Sequence, residues 1–214
     1  MGYVRKVFGI VSVQLLVTFA CCLFASYNES FGDFCKQLWV QLMSLFGVIF
    51  TLLALFCIPR LRKEVPVNFI ILFVFTGFES LAVSGLTAWL TPESVLISIG
   101  VLCIAVTSLC SAALVTPLSA KLVAFLLIGL LVGILLQLMI VMTMCIYGYL
   151  NTYMYMLYAT LGCAISGLLI FIDVIKIQIL GKVAVDEYVL GAVLLYIDII
   201  RLLIYILMIF GKSK

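Results

Sequence analysis

Histidine is absent from the chain altogether. With it go Ser-His-Asp and Cys-His catalysis, haem on a histidine axial ligand, and histidine-based zinc sites. Charge is scarce too. Only 10% of the 214 residues are Asp, Glu, Lys or Arg, against 67% hydrophobic, and the mean hydropathy is +1.41. A soluble domain of this composition would lack the polar surface to cover itself. The net charge of +3 gives no nucleic-acid signal, because the basic residues fall in short inter-helix segments and not in a patch. Eight cysteines are present, yet without a C-x-x-C pair or metal-ligand spacing. Cys21, Cys22, Cys57, Cys103, Cys110, Cys145 and Cys163 lie inside apolar runs and read as small buried hydrophobes. Cys35, in a loop, is the one expected to be exposed.

What is present instead is apolar sequence in lengths that cross a bilayer. Arg5 and Lys6 precede a first run, Val7 to Tyr27, too long for a signal-peptide core and followed by Glu29 and Asp33 where a small-residue cleavage site would stand. It is expected to be a retained helix. The loop Asn28–Lys36 leads to a second run, Gln37–Ile58, and the basic segment 59–66 to a third, Val67–Leu90, interrupted by Glu79. The turn at Thr91-Pro92-Glu93-Ser94 opens the fourth, Val95–Val115, with Ser94 as N-cap. After a short loop, Thr116–Lys121, come Leu122–Tyr147, Tyr153 to about Ile179, and Tyr188–Phe210. The reading is one all-α domain, residues 1–214, a polytopic bundle of seven spans embedded in lipid. Gly129-x-x-x-Gly133 and Gly162-x-x-x-x-Gly167 would let helices approach closely.

Orientation follows Lys and Arg. With the N-terminus in the cytosol, eight basic residues lie inside: Arg5, Lys6, Arg60, Arg62, Lys63, Lys121, Lys176 and Lys182. Three lie outside, Lys36, Lys212 and Lys214, and Arg201 is within the membrane. The two terminal lysines dissent, and a re-entrant last segment would return them to the inner side. Seven full spans are the favoured form. The sequon Asn28-Glu29-Ser30 would then face the lumen, very close to the bilayer.

Four charged sites stand out: Glu79, Asp173 with Lys176, Asp198 with Arg201, and Arg60 with Arg62. An ionised carboxyl at mid-membrane costs roughly 2.5–3.5 kcal/mol on insertion scales, so two retained aspartates point to a use. Phe171-Ile172-Asp173 precedes Lys176 as Tyr196-Ile197-Asp198 precedes Arg201, so each aspartate has a base three residues on and nearly on its own face. Structural ion pairs are one reading, and Lys176 could instead snorkel to the inner interface. The functional reading is a carboxyl pair. The last two spans are joined by a short loop and should be antiparallel neighbours, in contact if the sixth ends early, near Val174. Two carboxyls sharing a site cannot both ionise cheaply. Such a pair would hold one proton and lock the helices, and losing that proton, or gaining a hard cation such as Ca²⁺ on its oxygens, would loosen them.

Asp186-Glu187-Tyr188-Val189-Leu190-Gly191-Ala192, running into Leu195-Tyr196-Ile197-Asp198-Ile199-Ile200, resembles the C-terminal signature of the transmembrane Bax-inhibitor-motif family. Pro66-Val67-Asn68 and Phe75-Thr76-Gly77-Phe78-Glu79-Ser80 are similar to the third-helix signature of its lifeguard branch. Arg5-Lys6-Val7-Phe8 with Gln14-Leu15 and Thr18 resembles the family's first helix. The resemblance implies a seven-helix fold, a pH-dependent Ca²⁺ leak across an internal membrane such as the endoplasmic reticulum or Golgi, and suppression of apoptosis. It implies no enzyme and no cofactor, with Ca²⁺ and H⁺ as the ions moved or sensed. By it, Asp173 and Asp198 form the sensor and a transient metal site, Arg60 or Arg62 the latch, and Glu79 part of the ion path. The sequence departs from the family where Asp173-Val174-Ile175 stands for Asp-Thr-Gln, and where Arg201 replaces an uncharged residue. Lys176 and Arg201 would oppose a passing dication.

An intramembrane aspartyl protease also pairs two aspartates on neighbouring helices. It needs Gly-x-Gly-Asp and Pro-Ala-Leu, however, and neither occurs. A seven-helix receptor needs its N-terminus outside. The alternative that stays open is a non-conducting membrane regulator of cell death, acting through helix contacts with apoptosis-regulating membrane proteins.

Overall fold

Within hydrocarbon no water is available to satisfy backbone N–H and C=O groups, so apolar runs of this length close their hydrogen bonds internally as helices. The computed structural model describes residues 2–58, 64–116, 120–147, 152–180 and 188–214. In it the long runs form α1 (Gly2–Tyr27), α3 (Leu38–Cys57), α4 (Val67–Thr87), α5 (Pro92–Val115), α6 (Ala120–Tyr147), α7 (Thr152–Leu180) and α8 (Tyr188–Phe210). All seven are long and apolar enough to cross a membrane. The protein is an all-α polytopic membrane bundle.

The last helix is its axis. α8 packs against α7, α1, α5 and α4; α1 also lies along α4, while α3 leans on α4 and α6 on α7. Leu195, Tyr196, Ile199, Ile200 and Leu203 of α8 are at most 1% exposed. A helix enclosed on this many sides must be apolar nearly all round, which is why its two charges, Asp198 and Arg201, are conspicuous. The peripheral helices turn bulky apolar side chains outward, as with Phe50 on α3 and Phe125 on α6. In a bilayer that is the surface the lipid tails solvate.

α8 is one uninterrupted helix of 23 residues, about 34 Å at 1.5 Å per residue, long enough for a full span. Its start lies beside α1 and α4. Lys6 Nζ stands 5.2 Å over the Tyr188 ring, and Asn68 Nδ2 donates to the Tyr188 hydroxyl at 3.2 Å. Its far end meets the α4–α5 turn, where Thr91 N–H donates to Lys212 C=O at 2.9 Å and Lys214 N–H to Trp89 C=O at 3.0 Å. The chain therefore finishes at the end of the bundle opposite its start.

Several local expectations need correction. The segment after Tyr27 is not a loop but a short helix, α2 (Glu29–Lys36). Asn28 caps it, accepting from Phe31 N–H at 3.1 Å, and Glu29 and Lys36 complement its dipole at either end. α1 begins at Gly2, so Arg5 and Lys6 lie within its first turns. Ser94 is not the N-cap of α5. Thr91 holds that position, and Ser94 Oγ lies 2.8 Å from Thr91 Oγ1 and accepts from Lys212 N–H at 3.2 Å. Cys35 is fully buried, whereas Cys57 and Cys103 are exposed. Folding α2 back onto α1 encloses the thiol, and burial first, then neighbouring Cys21, pushes it up from its ordinary pKa. Of the four glycines expected at helix contacts, Gly133, Gly162 and Gly167 face Ile165, Tyr205 and Leu109. A Cβ on Gly129 would meet nothing within 4 Å, since α6 has a neighbour on one side only.

Candidate functional site

Asp173 and Asp198 face each other across the α7–α8 contact, their carboxyls within hydrogen-bonding reach. No early end to α7 is needed, and the helix runs on to Leu180. Asp173 stands seven residues before that end and Asp198 ten after the start of α8. Each carboxyl also meets its own base. Lys176 Nζ donates to Asp173 Oδ1 at 2.8 Å, and an Arg201 guanidinium nitrogen lies 3.8 Å from Asp198 Oδ1. The acids are interior, with side chains 9% and 12% exposed; the bases reach outward, 58% and 49% exposed. The arrangement is a core of two carboxyls flanked by two outer cations, one pair tight and the other loose.

Arg201 shares its side of α8 with Tyr205, four residues on. The Tyr205 hydroxyl accepts from Gln137 Nε2 at 2.8 Å, and its ring meets Tyr158 edge-on at 5.7 Å. This seam ties α6, α7 and α8 together beyond the acid pair.

Glu79 is elsewhere. It lies on α4, half-buried, beside Tyr196, and among the described residues it makes no hydrogen bond or ion pair. Tyr196 anchors a second polar cluster, on the opposite face of α8 from Asp198. Its hydroxyl is 2.7 Å from Thr18 Oγ1, which is 3.0 Å from Ser80 Oγ and donates to Gln14 C=O at 2.9 Å. Gln14 Nε2 donates to Thr76 Oγ1 at 2.8 Å. Gln14 Oε1 and Ser84 Oγ are buried without a partner among the described residues. Sequence reasoning missed this cluster, though a signal was there. Gln14 and Thr18 on α1, and Thr76, Ser80 and Ser84 on α4, are polar residues at four-residue spacing inside apolar runs, a stripe that only a buried face would keep.

Arg60 and Arg62 lie outside the described residues. No group of three or more Cys, Asp or Glu converges among the described residues. Ca²⁺ takes six to eight oxygens, so two carboxyls alone could serve it only in transit, with water completing the shell.

The chain matches the Bax1-I family, described as inhibitor of apoptosis-promoting Bax1, over residues 1–214. It is 29% identical to human (Homo sapiens) protein lifeguard 3 over 220 residues, covering 99% of this chain and 69% of that protein. To protein lifeguard 4 of Mus musculus it is 27% identical over 219 residues, 97% of this chain and 83% of that one. To protein lifeguard 3 of Mus musculus the identity is 26% over 219 residues, 99% and 69% of the two chains.

Proposed function

Because this chain belongs to the Bax1-I family, inhibitors of apoptosis-promoting Bax1, over its whole length, we propose that it restrains apoptosis from within an internal membrane and does so as a pH-sensitive cation leak. The observation that carries the reading is the Asp173–Asp198 contact between α7 and α8. Two carboxyls in contact share one proton between their two titration steps and repel when pH rises enough to ionise both. The repulsion acts between α8, the axis of the bundle, and α7, so loss of the proton loosens the helix on which the others pack. Ca²⁺ is the cation that oxygen ligands of this kind suit. The endoplasmic reticulum or Golgi is the membrane, with the N-terminus cytosolic by the distribution of Lys and Arg.

A second reading has its own observation. Lys176 and Arg201 offset the charge of both aspartates, and the resulting four-charge cluster is formally neutral. A neutral cluster is a poor attractor for a dication and a serviceable lock between helices, so the chain would then act on other membrane proteins by contact, without conducting. Ca²⁺ flux from liposomes holding the purified chain separates the two. A leak that rises as pH is raised supports the channel; liposomes no leakier than empty ones at any pH leave the contact regulator.

A further inference from the structure

A groove of about 720 Å³ lies between α1 and α4, on the side of the bundle away from the acid pair. Arg5 and Lys6 stand at its mouth, both exposed, and neither meets a carboxylate among the described residues. Below them the walls are apolar, with Gly9, Val13 and Phe73 open to the outside. A Cβ on Gly9 would meet nothing within 4 Å, so the groove is open at that level.

We propose that this groove is a binding site for one anionic phospholipid, its phosphate on Arg5 and Lys6 and an acyl chain along the α1–α4 crease. Length supports it. From Arg5 to Val17, the deepest lining residue on α1, the helix rises about 18 Å, close to half of a hydrocarbon core about 30 Å thick. The groove thus runs from headgroup level to the bilayer centre, the extent of a single leaflet. Width supports it too. Gln14 and Thr76, both lining residues, join α1 to α4 directly at 2.8 Å, so the crease suits a hydrocarbon chain and not a helix about 10 Å across. Charge selects the headgroup, since two exposed cations that meet no carboxylate among the described residues attract acidic lipid at a membrane surface. Tyr188, whose ring lies under Lys6, holds that ammonium at the mouth. The site does not depend on whether the chain conducts ions.

Native mass spectrometry of the full chain, released from micelles after incubation with phosphatidylserine or chain-matched phosphatidylcholine, tests the assignment. The wild type is expected to retain one phosphatidylserine in preference. The double variant R5Q/K6Q should weaken that binding about thirtyfold, weaken phosphatidylcholine much less, and so remove the preference between the two. Gly9→Leu fills the groove without altering charge and should lower phosphatidylserine retention as well. Lys36→Gln is the control, removing a lysine stacked on an aromatic ring, Trp89, at the far end of the bundle, and should change nothing. Equal retention of the two lipids by the wild type would overturn the proposal. So would loss of binding in R5Q/K6Q with none in Gly9→Leu, because the lipid would then be held by surface charge alone.

Discussion

Tyr196 and Asp198 stand two residues apart on α8 and address opposite sides of it: the tyrosine hydroxyl meets Thr18 of α1 at 2.7 Å, while the aspartate meets Asp173 of α7. A two-residue step turns a helix by about 200°, so one short stretch serves two polar sites. The α1–α4 side is a network of neutral hydroxyls and an amide with Glu79 beside it. The α7 side is a cluster of four charges. Glu79, expected in the ion path, therefore stands on the hydroxyl side of α8 and apart from the acid pair.

The acid pair sets the first prediction. Asp198→Asn removes the repulsion that appears when both carboxyls ionise, so the leak should lose its rise with increasing pH. Asp173→Asn should do the same, because the property belongs to the pair. Ca²⁺ flux from liposomes across pH 5 to 8 reads the outcome. A profile still rising as in the wild type would show that the contact does not gate.

Arg201 gives the second. At 3.8 Å its hold on Asp198 is looser than that of Lys176 on Asp173 at 2.8 Å, and the guanidinium is half exposed. A cation with this freedom acts mainly as a positive charge beside the path. Arg201→Asn, at constant pH, should raise cation flux in the same liposomes. A fall in flux would identify the residue as a structural partner of Asp198.

The hydroxyl network supplies a third prediction, which separates the two sides of α8. Tyr196→Phe removes one hydroxyl from a fully buried site and leaves Thr18 Oγ1 with one partner fewer. In a membrane such bonds are worth about 1 kcal/mol. The variant should unfold earlier in detergent by about that amount, followed by circular dichroism, yet keep the wild-type pH profile of the leak. A flattened profile would couple the two faces through the helix.

The helices and the acid pair were legible in the sequence because hydropathy alone decides which stretches enter a bilayer. The apolar run Tyr188–Phe210 coincides with α8, and the repeated aromatic-Ile-Asp pattern marks Asp173 and Asp198. α2 was not legible in the same way. At eight residues it is too short for periodicity to speak, and it is stable through its Asn28 cap and through aromatic contacts such as Phe24–Phe31 at 5.1 Å, which exist only once α1 and α2 fold together. The burial of Cys35 depends on the same tertiary contact and leaves no local signal. The Gln14–Tyr196 network joins residues far apart in the chain, and Thr or Ser in an apolar run also satisfies its own helix, as Thr76 does with Leu72 C=O. Composition cannot tell those two uses apart.

Glycine contacts give the last prediction, and here the structure divides positions that the sequence treats alike. Gly129 and Gly162 both lie mid-helix in small-residue patterns. A Cβ at Gly162 would run into the Tyr205 ring, which is pinned by Gln137 on one side and Tyr158 on the other and has little room to retreat. Overpacking of this kind costs about 1–3 kcal/mol. A Cβ at Gly129 meets nothing, and alanine there should gain from its better helix propensity, by at most about 1 kcal/mol. Gly162→Ala should therefore lower the unfolding midpoint in detergent, while Gly129→Ala leaves it unchanged or slightly raised. Because α7 reaches the acid pair eleven residues further on, Gly162→Ala should also disturb the pH profile if the α7–α8 seam moves as one body. A stability loss with an intact profile would confine the seam's role to packing.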